Sequence, residues 1–215
     1  MTPAYYSPRI RMFEIIAVVV TGLGKFVMVD FLQLKFWYVT SASLLWLVYI
    51  LYRIKTNPGA PAYWGFRKEG FGSSLRWIGP VALLALAVFV TLGLLKRTLL
   101  FNEHLVFALL LYPVWGTIQQ FLIIGLLVRN LKDMEGVTIK TPVIVAISAI
   151  VFSVVHVPSL PLVFATLGLA IGYSLLYLRY RNLWILGLFH GWMGGFFYFF
   201  VLGRDAWLEF VKAVQ

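Results

Sequence analysis

An all-α, polytopic bundle of about seven membrane-spanning helices is the fold this sequence predicts, and three observations lead to it. Of 215 residues, 61% are hydrophobic and only 12% charged, whereas soluble domains are about half apolar and about a quarter charged. Mean hydropathy is +0.90. The apolar residues fall into seven runs, at roughly 12–33, 37–54, 77–95, 104–128, 142–157, 159–178 and 183–203, most of them near the ~20 residues that a helix needs to cross ~30 Å of hydrocarbon.

The first run is interrupted by Lys25 and Asp30. An intramembrane lysine needs a partner or a route to the headgroups, and Asp30 or snorkelling supplies one. The second run ends at Arg53 and Lys55. The longest polar stretch follows, from Lys55 to Trp77, with an Asn57-Pro58-Gly59 turn and then Trp64-Gly65-Phe66-Arg67-Lys68. Its aromatic and basic residues predict a segment lying in the headgroup layer. The third run ends at Lys96-Arg97. The fourth opens at His104, expected to be solvated, and carries Gln119 and Gln120 mid-way. The fifth is short and stops at Pro158, with His156 at its end. The seventh carries His190 among Gly187, Gly191 and Gly195, a face of small residues four apart that lets another helix approach closely. The tail after Arg204 is too short and too charged to span.

One membrane domain over 1–215 is expected, with no repeat and no low-complexity tract. Placing the N-terminus inside puts 12 lysines and arginines in cytoplasmic loops against 5 outside, with Lys25 in the membrane. The positive-inside rule therefore favours N-terminus in and C-terminus out. No cleavable signal pattern opens the chain, so the first run is expected to stay. The absence of cysteine excludes disulfides, thiolate metal sites and a cysteine nucleophile. A net charge of +10 is spread over short loops, which suits anionic lipids rather than nucleic acid.

Chemistry in such a chain is sought among polar groups in the hydrocarbon, because each is costly there. Gln119, Gln120, His156 and His190 stand out. Phe152 and His156 share a helix face at i, i+4, as do His190 and Gly194. The eight carboxylates all fall at helix ends or in loops on this map, Glu14 included. The sequence requires no cofactor and offers no metal site, since two histidines fall short of the usual three ligands.

Taken together, Gln119-Gln120-Phe121-Leu122-Ile123-Ile124-Gly125, Phe152-Ser153-Val154-Val155-His156 and His190-Gly191-Trp192-Met193-Gly194 resemble the three motifs of the CPBP (CAAX protease and bacteriocin-processing) family of intramembrane endopeptidases, related to type II CAAX prenyl endopeptidases. The family's motifs are Glu-Glu-x-x-x-Arg, Phe-x-x-x-His and His-x-x-x-Asn/Asp. Gly168-Leu169-Ala170-Ile171-Gly172 and Asn182-Leu183-Trp184 also look like its connecting and last helices. The resemblance spans roughly 104–200. It implies that position 119 and His156 stand where a glutamate and a histidine activate water. It also implies that His190 and position 194 stand where the oxyanion is stabilised. The implied home is a membrane, expected to be the bacterial cytoplasmic (inner) membrane.

The departures fall on the chemistry. A carboxamide cannot take the proton that a carboxylate accepts, so Gln119 keeps the shape of the base without its function. Gln120 and Ile124 replace a Glu/Arg pair together, leaving no orphaned charge. Gly194 removes a side-chain donor. Three readings follow. The first is a CAAX-type relative with weak or no peptidase activity that binds a membrane protein or lipid-linked peptide. The second is an active endopeptidase using His156 and His190, and the third a histidine-ligated cofactor or pigment subunit. Gln119, His156 and His190 are expected to converge on one cavity, with Phe152 packed beside His156.

Overall fold

A computed structural model describes residues 7–205, 207–209 and 211; Lys212 and Gln215 lie outside the described residues, as does the stretch before Ser7. Among these described residues, nine α-helices follow in order between Pro8 and Phe196: α1 (Pro8–Lys25), α2 (Lys35–Thr56), α3 (Ala60–Trp64), α4 (Phe71–Lys96), α5 (His104–Gln120), α6 (Arg129–Lys132), α7 (Thr141–Val154), α8 (Leu160–Tyr180) and α9 (Leu183–Phe196). Three of them continue as π-helical segments: α1 through Phe26–Phe31, α5 through Phe121–Val128 into α6, and α9 through Phe197–Val201. Six helical stretches, from Pro8–Phe31 to Leu183–Val201, are long and apolar enough to cross a membrane. The seventh apolar helix, α7, has 14 residues, or about 21 Å.

Local chemistry explains where these helices begin. Ser7 caps α1, its hydroxyl accepting from the Ile10 N–H at 3.4 Å ahead of a proline at the first helical position. α1 therefore starts four residues before the predicted run. Glu14 is thereby carried into its second turn and wholly buried, not placed at a helix end as the sequence map had it. α4 likewise starts at Phe71 rather than Trp77, released by Gly70 in the left-handed region. Within the segment expected in the headgroup layer, α3 forms, and its Ala60 and Trp64 are almost fully buried against protein, Trp64 edge-on to Phe121 at 5.0 Å. The Tyr177 hydroxyl donates to the Trp64 carbonyl at 2.8 Å.

The chain divides into two compact units, residues 1–66 with 121–181, and 67–120 with 182–215. In the first, α7 packs on α8, and the Ser148 and Ser174 hydroxyls meet at 2.7 Å. α1 lies on the π-helical stretch after Gln120, where Phe121 and Ile123–Val128 are all buried. Lys25 pairs with Asp30 at 2.8 Å and donates to the Val157 carbonyl, so this membrane lysine is satisfied by the protein. In the second unit α5 packs on α9, with α4 beside α9. Leu105, Ala108, Phe199 and Phe200 form its core. His104 is not simply solvated: its Nδ1 donates to Asp205 at 2.8 Å. Large apolar side chains such as Leu45, Leu84 and Leu95 are left facing outward, as lipid requires.

Candidate functional site

The second unit brings two of the sequence-predicted residues into contact. The Gln120 amide N–H donates to His190 Nδ1 at 2.6 Å, and both side chains are buried. The contact depends on an unusually close helix pair. A Cβ added at Gly191 would lie 2.3 Å from Pro113 backbone, and one at Gly187 would lie 2.7 Å from Thr117 Cα. α5 and α9 thus run antiparallel, nearly backbone to backbone. Gln120 is three residues past Thr117 and His190 three past Gly187, so their Cα levels differ by about 9 Å along the axes. Side chains on a helix lean towards its N-terminus. In an antiparallel pair both therefore lean towards the Thr117–Gly187 level, and the gap closes.

A second device holds the pair. Pro113 has no N–H to offer the carbonyl of Leu109, one turn earlier. The indole N–H of Trp192 donates to that carbonyl at 3.1 Å. Gly194 lies on the same helix, where a Cβ would make ordinary contact with Tyr112 at 3.6 Å and the His190 ring at 3.9 Å. Gln119 is half-buried in this unit.

The amide donates to Nδ1, so neutral His190 carries its proton on Nε2. Nε2–H is a hydrogen-bond donor and no base. Gln120 Oε1 is buried without a hydrogen-bond partner among the described residues. The pair offers Gln120 Oε1 as an acceptor for a polar guest, but no group that takes a proton from water.

Phe152, His156 and Ile124 belong to the first unit. Phe152 is buried and its ring stands edge-on to the His156 imidazole at 5.1 Å. His156 lies in the turn after α7, where its Nδ1 donates to the Phe152 carbonyl at 2.8 Å. A carbonyl only accepts, so Nδ1 holds the proton and Nε2 the lone pair. Ile124 is fully buried. An arginine there would need a partner among apolar neighbours.

The sequence reading missed a polar cluster in the first unit. Glu14 accepts from the Tyr49 hydroxyl at 2.5 Å and from the Asn130 amide at 2.6 Å, with Arg53 at 3.8 Å. Beside it Arg11 donates to Tyr63 and to Asn130. Tyr63 donates to Asp133 at 2.8 Å, and Arg129 reaches Asp133 at 2.9 Å while lying over the Tyr63 ring. Burial, opposed by Arg11 and Arg129, pushes the Tyr63 phenol up, so it remains a donor. The available signal was the helical pairing of Arg11 with Glu14, Tyr49 with Arg53 and Arg129 with Asp133, each three or four apart. Glu14 is no substitute base for His156. Along α1 it is Gly22, eight residues or about 12 Å further on, that approaches Val155.

Among the described residues no group of three or more His, Cys, Asp or Glu side chains is placed to hold a metal. Residues 100–196 match the family model described as type II CAAX prenyl endopeptidase Rce1-like. Comparison with curated proteins and with solved structures gives no significant match.

Proposed function

We propose, from the match of residues 100–196 to the Rce1-like type II CAAX prenyl endopeptidase model, that the protein is an intramembrane relative of those endopeptidases with little or no cleaving power, and that it binds a membrane protein or lipid-linked peptide without cutting it. The observation that carries this reading is the Gln120–His190 contact at 2.6 Å. Both motif positions that hold glutamates in the family hold amides here, and the second of them, Gln120, is engaged with the histidine of the third motif. Gln119 has the same deficiency as a base. General-base assistance contributes typically about 10²- to 10⁴-fold in rate, and no described carboxylate stands in for it.

The same reading makes Gln120 Oε1, buried without a hydrogen-bond partner among the described residues, the acceptor of a guest's N–H or O–H. The protein sits in a bacterial cytoplasmic membrane with its N-terminus inside and its basic loops against anionic lipids. The test is cleavage of a prenylated CAAX-type peptide by purified protein in lipid. Wild type is expected to be inactive or nearly so. Activity is expected only after Gln119→Glu, Gln120→Glu, Ile124→Arg and Gly194→Asn are combined. At Gly194 a Cβ meets its nearest neighbour, Tyr112, at 3.6 Å without a clash, which suits the last of these. Robust wild-type cleavage lost in His156→Ala would overturn the reading in favour of a histidine-centred peptidase.

A further inference from the structure

At the start of α4 and α9, within the second unit, lies an open cavity of about 510 Å³, inside the ~300–1,000 Å³ range of small-ligand sites. Its walls have two characters. Arg67 and Lys68 supply cations, while Phe71, Trp184 and Leu188 supply an apolar floor beside Gly72. Trp184 and Leu188 are one turn apart on the same face of α9. We infer that this cavity binds one anionic phospholipid, its phosphate against Arg67 and Lys68 and its acyl chain along Trp184 and Leu188. The inference stands apart from the Gln120–His190 site and from the question of peptidase activity.

The cavity is built by the fold. Asn182, almost fully buried, donates from its side-chain amide to the Arg67 carbonyl at 2.6 Å and the Glu69 carbonyl at 3.0 Å. Its Oδ1 caps α9 by accepting from Ile185 N–H at 3.2 Å. One side chain therefore fixes both the basic loop and the helix that carries the apolar wall. A Cβ at Gly72 would meet nothing within 4 Å, so a ligand has access to the backbone there. α4 opens without a side-chain cap, and the positive end of its dipole adds to the two cations. Glu69 is exposed and does not line the cavity. A free phosphate would leave the apolar floor wet, and a zwitterionic lipid would bring its own cation against Arg67 and Lys68. A chain with six potential spans meets phospholipid on every side, and an anionic one satisfies both walls.

Brominated lipids quench tryptophan on contact, which provides the test. The full chain is reconstituted in nanodiscs with dibrominated phosphatidylglycerol or dibrominated phosphatidylcholine. Subtracting Trp184→Phe from wild type isolates Trp184 among the eight tryptophans. Phosphatidylglycerol should half-quench Trp184 at about 10- to 30-fold lower mole fraction, the preference that two basic side chains at a headgroup surface supply. Arg67→Gln with Lys68→Gln should reduce that to threefold or less; if the double variant does not fold, Lys68→Gln alone should remove about half of the preference on a logarithmic scale. Leu188→Phe narrows the apolar half with the cations intact, and should weaken quenching by both lipids. Equal quenching in wild type, or a preference that survives loss of the cations, overturns the inference. Relief of quenching by millimolar inorganic phosphate also overturns it, by making the site one for the free anion.

Discussion

Gln120 and Glu14 are both fully buried, and the two satisfy that burial in different ways. Gln120 is neutral and needs hydrogen bonds only, of which one goes to His190. Glu14 carries charge into the interior and is met by Tyr49, Asn130 and Arg53 together. Removing one member of a buried charged set leaves its partners desolvated and unmatched, at a cost of about 3–5 kcal/mol. Glu14→Ala should therefore lower the unfolding free energy by that much in detergent, with Glu14→Gln losing less because the amide keeps hydrogen-bonding capacity. A loss below about 1 kcal/mol would mean that the cluster behaves like surface charge. Gln120 and His190 were legible as polar residues in apolar runs. Glu14 was not, because the sequence map began the first helix at Met12 and so placed Glu14 at its end.

α5 and α9 show how a helix pair can be specified by what its residues lack. Gly187 and Gly191 have no Cβ, Pro113 has no N–H, and Trp192 supplies the donor that proline withholds from Leu109. Two glycines of α9 only three residues apart should then respond with opposite sign. Gly191→Ala drives a methyl into Pro113 and should cost about 1–3 kcal/mol or more. Gly194→Ala meets only ordinary contacts and should gain about 0.5–1 kcal/mol from helix propensity. Trp192→Phe should cost about 1–3 kcal/mol by stranding the Leu109 carbonyl. Thermal unfolding of the three variants side by side checks the set; equal responses at Gly191 and Gly194 would contradict it. The glycine spacing was readable in the sequence, but its partner helix was not, since period-four patterns do not say what they face. The π-helical stretch from Phe121 was hidden as well: an all-apolar run looks the same for either helix type.

At the scale of the molecule, seven apolar segments are predicted and seven apolar helices are present among the described residues, six of spanning length and α7 shorter. Hydropathy reveals such segments because lipid forces every backbone group to be satisfied inside its own helix. Boundaries shifted where a cap or a left-handed glycine decided them, at Ser7 and Gly70. Seven crossings from the proposed cytoplasmic N-terminus would put the C-terminal end outside, so a periplasm-dependent reporter fused at Gln215 should be active. Cytoplasmic activity would mean that α7 enters and leaves by the same face.

The two compact units alternate along the chain, 1–66, 67–120, 121–181 and 182–215, and this has a consequence for synthesis. Glu14 and Asn130 are 116 residues apart, so at ~5–20 residues per second the ribosome delivers the amide about 6 to 23 s after the carboxylate. Tyr49 arrives only 35 residues behind, with Arg53 close after it. The α1–α2 hairpin can therefore hold Glu14 in a provisional pairing while the remaining helices are still being made. A chain interrupted between Arg53 and Asn130 would present the insertion machinery with a half-satisfied acid, a natural point for quality control to act.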